Sequence, residues 1–186
     1  MAKIDESLKI VMWLEYGNKV SKALEVNETE TGMTYKGIYQ TAHPEWEGWD
    51  VVRIALEKTD GSKSKAAELL EADVELQASV AEFYKREFWD KMRLDEVQSQ
   101  KIADEMMVFG VNTHPKTAVR VAQRVVGVLQ DGAIGPKTLK ALNEFDADVF
   151  SETFDELEKA HYAKIVANRP EKGIFLKGWR NRAVAV

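Results

Sequence analysis

The sequence predicts a mainly α-helical protein, on three observations. Apolar residues recur at i, i+3, i+4 and i+7 along most of the chain, the period of a helix with one buried face. All four prolines stand at predicted helix boundaries. Only one segment, between Val20 and Thr34, has the short polar character of a small β-hairpin, with Val20, Leu24 and Val26 as its apolar residues.

The first helix carries Leu8, Val11 and Met12 on one stripe and stops at Gly17-Asn18. A polar stretch follows, Asn27-Glu28-Thr29-Glu30-Thr31-Gly32, too charged to bury. Thr34 then suits the N-cap of a short helix through Gln40, which Pro44 ends. Trp49 to Lys58 reads as a helix through Val51, Val52, Ile54 and Ala55, closed by the turn Asp60-Gly61. The next long helix starts near Ser64 or Asp73 and reaches Trp89, with Leu76, Val80, Phe83 and Tyr84 at helical spacing.

In the second half a helix spans Ser99 to Val111, and Pro115 opens another holding Ala118, Val121, Ala122 and Val125. Asp131-Gly132 and Gly135-Pro136 punctuate the next connection, where turn chemistry suffices to explain Asp131-Gly132. Ser151 can cap a last long helix with Phe154, Leu157, Tyr162 and Ile165, terminated by Pro170 and Gly173. There is no internal repeat and no Ser/Gly linker.

Composition excludes several classes of chemistry. Cysteine is absent, which removes disulfides, thiolate metal sites and a cysteine nucleophile. His43, His114 and His161 lie far apart and form no HExxH pair, so neither a metal nor a cofactor is expected. A net charge of −5 disfavours duplex nucleic acid as a partner. The charged N-terminus lacks the apolar core of a secretory signal, and no run approaches the ~20 apolar residues of a membrane span. The expectation is a chain made in the cytoplasm without a signal peptide or stable membrane association.

Glu15 stands out because it takes the i+7 position of the apolar stripe set by Leu8, Val11 and Met12. Burial there would disfavour the charged form, and so would the negative end of the helix dipole. Both raise an acid's pKa, as a general acid near neutral pH requires. The alternative is a Glu at the stripe's edge that swings into solvent.

Several motifs in order resemble one family: Glu15-Tyr16-Gly17, Gly32-Met33-Thr34-Tyr35-Lys36-Gly37-Ile38 and His43-Pro44-Glu45-Trp46-Glu47-Gly48-Trp49. They are similar to the N-terminal module of glycoside hydrolase family 108, peptidoglycan N-acetylmuramidases of bacteria and phages, some labelled secretion activator proteins. Residues 83–90, Val111-Asn112, and Gln123 through Asp131-Gly132-Ala133-Ile134-Gly135-Pro136-Lys137-Thr138-Leu139 resemble the peptidoglycan-binding module that follows in that family. The tail from Phe175 to Arg182 fits as well.

The resemblance implies a lysozyme-like helical fold, with a catalytic module over residues 1–92, a helical peptidoglycan-binding module over 93–168 packed on it as one body, and a tail over 169–186. It implies hydrolysis of the bond between N-acetylmuramic acid and N-acetylglucosamine in glycan strands. Glu15 matches the family's catalytic Glu at the end of the first helix, and Tyr16 departs from its Glu-Gly-Gly motif. Release through a holin to the periplasm follows from the same likeness. The alternative is a non-catalytic wall-binding or secretion-assisting protein.

Glycoside hydrolysis needs a second group across the sugar from the acid. Glu25, Glu28 and Glu30 are the candidates, and Glu30 is favoured because Gly32 and Thr34 follow it. Thr34 either holds the attacking water or only caps a helix. Tyr35 is expected to line a saccharide cleft, whereas Phe83, Trp49 and Trp89 are expected to pack. The amide of Asn112 suits either a substrate N-acetyl group or a helix C-cap.

Overall fold

A computed structural model describes residues 1–27 and 32–186. The first helix, α1 (Ile4–Tyr16), opens with Asp5 and Glu6 at its positive end. It stops because Gly17 and Asn18 turn left-handed, at φ 65° and 52°, and the Gly17 N–H returns to the Trp13 carbonyl at 2.8 Å.

The hairpin expected after α1 is present and gains a third strand. β1 (Leu24–Asn27), β2 (Gly32–Tyr35) and β3 (Ile38–Tyr39) form one antiparallel sheet in that order. The short helix expected from Thr34 to Gln40 does not form. Thr34 lies within β2, opposite both Glu25 and Tyr39. The reason is the pair Lys36-Gly37, with φ 46° and 83°, a two-residue hairpin turn closed by Tyr35 and Ile38. Positive φ at both central residues matches the right-handed twist of paired strands. Side chains alternate across the sheet, so Leu24, Tyr35 and Ile38 make a buried row. Glu25, Thr34 and Tyr39 make the next row, on the opposite face.

Helices α2 (Gly48–Lys58), α3 (Lys63–Glu71) and α4 (Val74–Tyr84) follow. The long helix expected to reach Trp89 is thus two helices and one turn of π-helix over Lys85–Trp89. Asp73 divides α3 from α4 by capping α4, its carboxylate accepting from the Leu76 N–H at 2.9 Å.

The remaining helices are α5 (Gln100–Asn112), α6 (Pro115–Val125), α7 (Pro136–Glu144), α8 (Ala147–Asn168) and α9 (Leu176–Arg182). Every residue of α5 from Ile102 to Gly110 is buried, Asp104 and Glu105 included. A helix covered on all sides is the centre of its unit. Asp146, not Ser151, caps α8, accepting from the N–H groups of Asp148 and Val149. Ser151 sits inside the helix and donates to Glu105 at 2.5 Å. Residues 170–182 form a 3₁₀ segment and α9, whose Trp179 stacks on Tyr162 at 5.1 Å.

Residues 12–85 form one compact unit, and residues 1–11 with 86–186 form a second. Tyr35, Ile38, Trp49, Val52 and Leu70 are the centre of the first, and Met106, Phe109, Phe150, Phe154 and Tyr162 that of the second. In the second, Ser7 donates to Asp104 at 2.5 Å and Gln100 bonds both, fixing the start of α1. Among the described residues, no helix is long and apolar enough to cross a membrane.

Candidate active site

Glu15 lies in the last turn of α1 and is half-buried, less enclosed than its place in the apolar stripe predicts. The helix ends at the next residue, so the stripe's covered part runs through Ser7 and Val11. Its carboxylate meets the Lys36-Gly37 turn. A Cβ placed on Gly37 would stand 3.0 Å from both Cγ and Oε2 of Glu15, a contact that only glycine leaves open.

That turn is held from beneath. The Tyr84 hydroxyl donates to the Lys36 carbonyl at 2.7 Å. Lys36 is itself buried, at 5 % exposure. Its ammonium pairs with Glu71 at 2.8 Å, donates to Gln77 Oε1 at 2.5 Å, and sits 5.4 Å from the Tyr16 ring centroid and 5.9 Å from that of Tyr35. Gln77 in turn donates to the Tyr35 hydroxyl at 3.0 Å and to the Leu70 carbonyl at 2.6 Å. Tyr16, the departure from the family's glycine, is therefore one of two rings around a buried cation. Sequence alone gave no sign of Lys36, because a lysine in a turn ordinarily points to water.

The sheet brings an acid and a hydroxyl together. Glu25 and Thr34 are directly opposed across β1 and β2, and side chains so placed have Cβ atoms about 4.5–5.5 Å apart. Glu28 and Glu30, the favoured second acid, lie outside the described residues.

Tyr35 is not a cleft residue. It is fully buried, stacked on Trp46 at 6.3 Å, and burial raises its phenol above the ordinary range. Alternation explains this, since Tyr35 shares its face with Leu24 and Ile38 while its neighbour Thr34 faces the other way. Trp49, Phe83 and Trp89 are buried, as expected of packing residues.

Asn112 belongs to the second unit, where its amide donates to the buried Tyr162 hydroxyl at 2.7 Å. The C-cap position falls to Thr113, whose hydroxyl donates to the Phe109 carbonyl at 2.7 Å. Among the described residues, no group of three or more His, Asp or Glu is placed to hold a metal ion.

Two buried acids were not anticipated. Glu105 of α5 and Glu158 of α8 are 3 % and 2 % exposed. Burial pushes Glu105 up to about 7, against a bond from Ser151. Burial, then the nearby Glu105 and Asp155, push Glu158 up to about 9. Their sequence signal is helical spacing, because Glu158 stands four residues from both Phe154 and Tyr162.

The likeness to known proteins is specific. Residues 25–113 match the family described as Glycosyl hydrolase 108, and residues 117–184 match the Predicted Peptidoglycan domain. The chain carries a glycoside hydrolase 108 domain followed by a peptidoglycan domain. The hydrolase match begins after Glu15, at the sheet's first strand. The fold is similar to that in the structure of Brucella abortus SagA, with a TM-score of 0.60 and 24 % identity over 98 % of this chain and 94 % of that one. No curated relative matches the chain. The chain is thus a lysozyme-like, mainly helical protein related to peptidoglycan.

Proposed function

We propose that this glycoside hydrolase 108 protein is an N-acetylmuramidase, cleaving the bond between N-acetylmuramic acid and N-acetylglucosamine in peptidoglycan. Glu15 acts as general acid and protonates the leaving sugar oxygen. Thr34 orients a water on the opposite face, and Glu25 takes its proton as the new C–O bond forms. The observation that carries the reading is the Gly37 turn held against the Glu15 carboxylate by a buried network. An acid fixed by its surroundings needs no reorganisation when it reacts.

The rung bearing Thr34 and Glu25 also bears Tyr39 of β3. A water placed between the two carboxylates in this way is the arrangement of an inverting enzyme, which requires Glu15 and Glu25 to stand ~6.5–9.5 Å apart. Glu25 replaces Glu30 as the preferred second group because its register beside Thr34 is fixed. Holin-type release to the periplasm fits the same reading.

The test is clearing of outer-membrane-stripped Gram-negative cells by wild type and Glu15→Gln, with mass analysis of the fragments. Clearing by wild type alone, with new reducing ends on N-acetylmuramic acid, is the expected result. Equal clearing by both removes the role of Glu15. Clearing by neither favours the non-catalytic wall-binding reading, for which Tyr16 in the family's glycine position is the supporting observation.

A further inference from the structure

The loop between α6 and α7 encloses a groove of about 700 Å³, within the ~300–1,000 Å³ range of ligand pockets. Val128, Leu129, Ala133 and Pro136 give it aliphatic walls, and Asp131 and Lys137 are the charged residues of its lining. Leu129 is 79 % exposed. Its side chain adds apolar surface to the groove that a ligand would cover.

The loop is also built to hold its shape. The Gln123 side chain is fully buried beneath it. Its Nε2 donates to Asp131 Oδ1 at 2.7 Å, to the Ala133 carbonyl at 3.0 Å and to the Thr138 hydroxyl at 3.3 Å. Its Oε1 accepts from the Gly132 N–H at 2.8 Å. One amide therefore fixes four points of the loop, so a ligand meets walls already in place and little ordering cost remains. The bond from Gln123, then that from the Ala133 N–H, hold the Asp131 carboxyl below its ordinary value, which keeps it anionic.

We propose that this groove binds the peptide stem of peptidoglycan rather than its glycan strand. The proposal rests on the wall association inferred above and names the part of the polymer recognised. The groove lies inside the span matching a peptidoglycan domain. Sugar rings stack on aromatic faces, and no aromatic residue lines this groove. Stem peptides carry alanine methyl groups, free carboxylates and an amine. Those are the complements of an aliphatic wall, Lys137 and Asp131 respectively.

The experiment is amide NMR of the full chain titrated with a purified tetrapeptide stem and, separately, with a chitin oligosaccharide. Cosedimentation with intact sacculi runs in parallel. The tetrapeptide shifts the amides of Leu129, Gly132, Ala133 and Lys137, and the oligosaccharide leaves them in place. Leu129→Asp weakens tetrapeptide binding by roughly tenfold or more, as loss of one buried leucine predicts, and Lys137→Glu weakens it as well. Leu129 is mostly in water, so its replacement leaves folding intact, which the remaining amides report.

Oligosaccharide shifts at the groove, or none from the tetrapeptide, overturn the proposal whether or not sacculi are bound. Failure of wild type to sediment with sacculi strikes the wall reading instead, and clearing that depends on Glu15 but survives Leu129→Asp separates the two sites.

Discussion

Glu15 and Gly37 touch where the first helix ends and the β2–β3 turn begins. A Cβ on Gly37 would lie 3.0 Å from the Glu15 carboxylate and 2.5 Å from the Tyr84 hydroxyl. The Tyr84 hydroxyl is held by its bond to the Lys36 carbonyl, so it cannot step aside without breaking the bond that supports the turn. The acid's surroundings are therefore backbone fixed by a buried tyrosine.

Gly37→Ala should then damage the site and the fold together. Residue 37 has φ 83°, where alanine is strained, and the added methyl must displace Tyr84 or Glu15. A loss of about 1–3 kcal/mol in urea unfolding is expected. Wall-clearing activity, measured well below the unfolding midpoint, should fall as well. Full activity in a folded Gly37→Ala protein would show that the turn does not position the acid.

The Lys36–Glu71 pair predicts an asymmetry. The Lys36 side chain is 6 % exposed and that of Glu71 is 38 % exposed. Glu71→Gln leaves a buried ammonium without its anion, whereas Lys36→Met leaves a carboxylate that water can reach. Breaking a fully buried pair costs about 3–5 kcal/mol. Glu71→Gln should approach that range, and Lys36→Met should stay nearer about 1–2 kcal/mol. Chemical denaturation of the two variants decides it, and equal losses would mean that Lys36 is better hydrated than its burial indicates.

The helices were legible in the sequence wherever a local signal marked them. Gly17 and Asn18 stop α1, Ser99 caps α5, and Pro115 and Pro136 open α6 and α7. The segment from Gly32 to Tyr39 was misread because Thr34 suits both a cap and a strand. The deciding signal was the Lys36-Gly37 turn, with β-branched and aromatic residues on both sides. At the site, spacing placed Glu15 at the close of α1. It could not show that Tyr35 turns inward, since that depends on pairing with distant Leu24. The criterion that marks Glu15, an acid on an apolar stripe, applies more fully to Glu105 and Glu158.

Gln123 predicts a local loss. Gln123→Met keeps the volume but leaves the Gly132 N–H and the Thr138 hydroxyl without the amide that now bonds them. Each abandoned buried polar group costs about 1–3 kcal/mol. Amide exchange should quicken over residues 131–138 more than over α5 or α8. Uniform quickening would instead mean that the loop and the core open as one cooperative unit.

Glu105 and Glu158 set a pH dependence whose sign follows from their protons. Both begin from an ordinary value of 4.5, and the folded protein raises them to about 7 and about 9. The folded state thus binds more protons than the unfolded chain, and stability falls as pH rises wherever that holds. Their contribution is complete below about 4.5, declines through about 7 as Glu105 ionises, and is gone above about 9. Asp104 and Asp155, also raised by burial, act in the same direction. Glu87, Glu96 and Asp131 are lowered, so they titrate below this window. Lys101 and Lys159 face the pair and soften the effect, and His161, lowered from its ordinary 6.5 by burial and then by Lys164, opposes it inside the window as one group against the two raised glutamates. The urea midpoint should therefore decline from pH 5 to pH 9. Glu158→Gln should flatten that decline and exceed wild type in stability at the alkaline end, because a neutral amide has no proton to lose. A wild-type midpoint that rises across the same interval would place both carboxylates in contact with water.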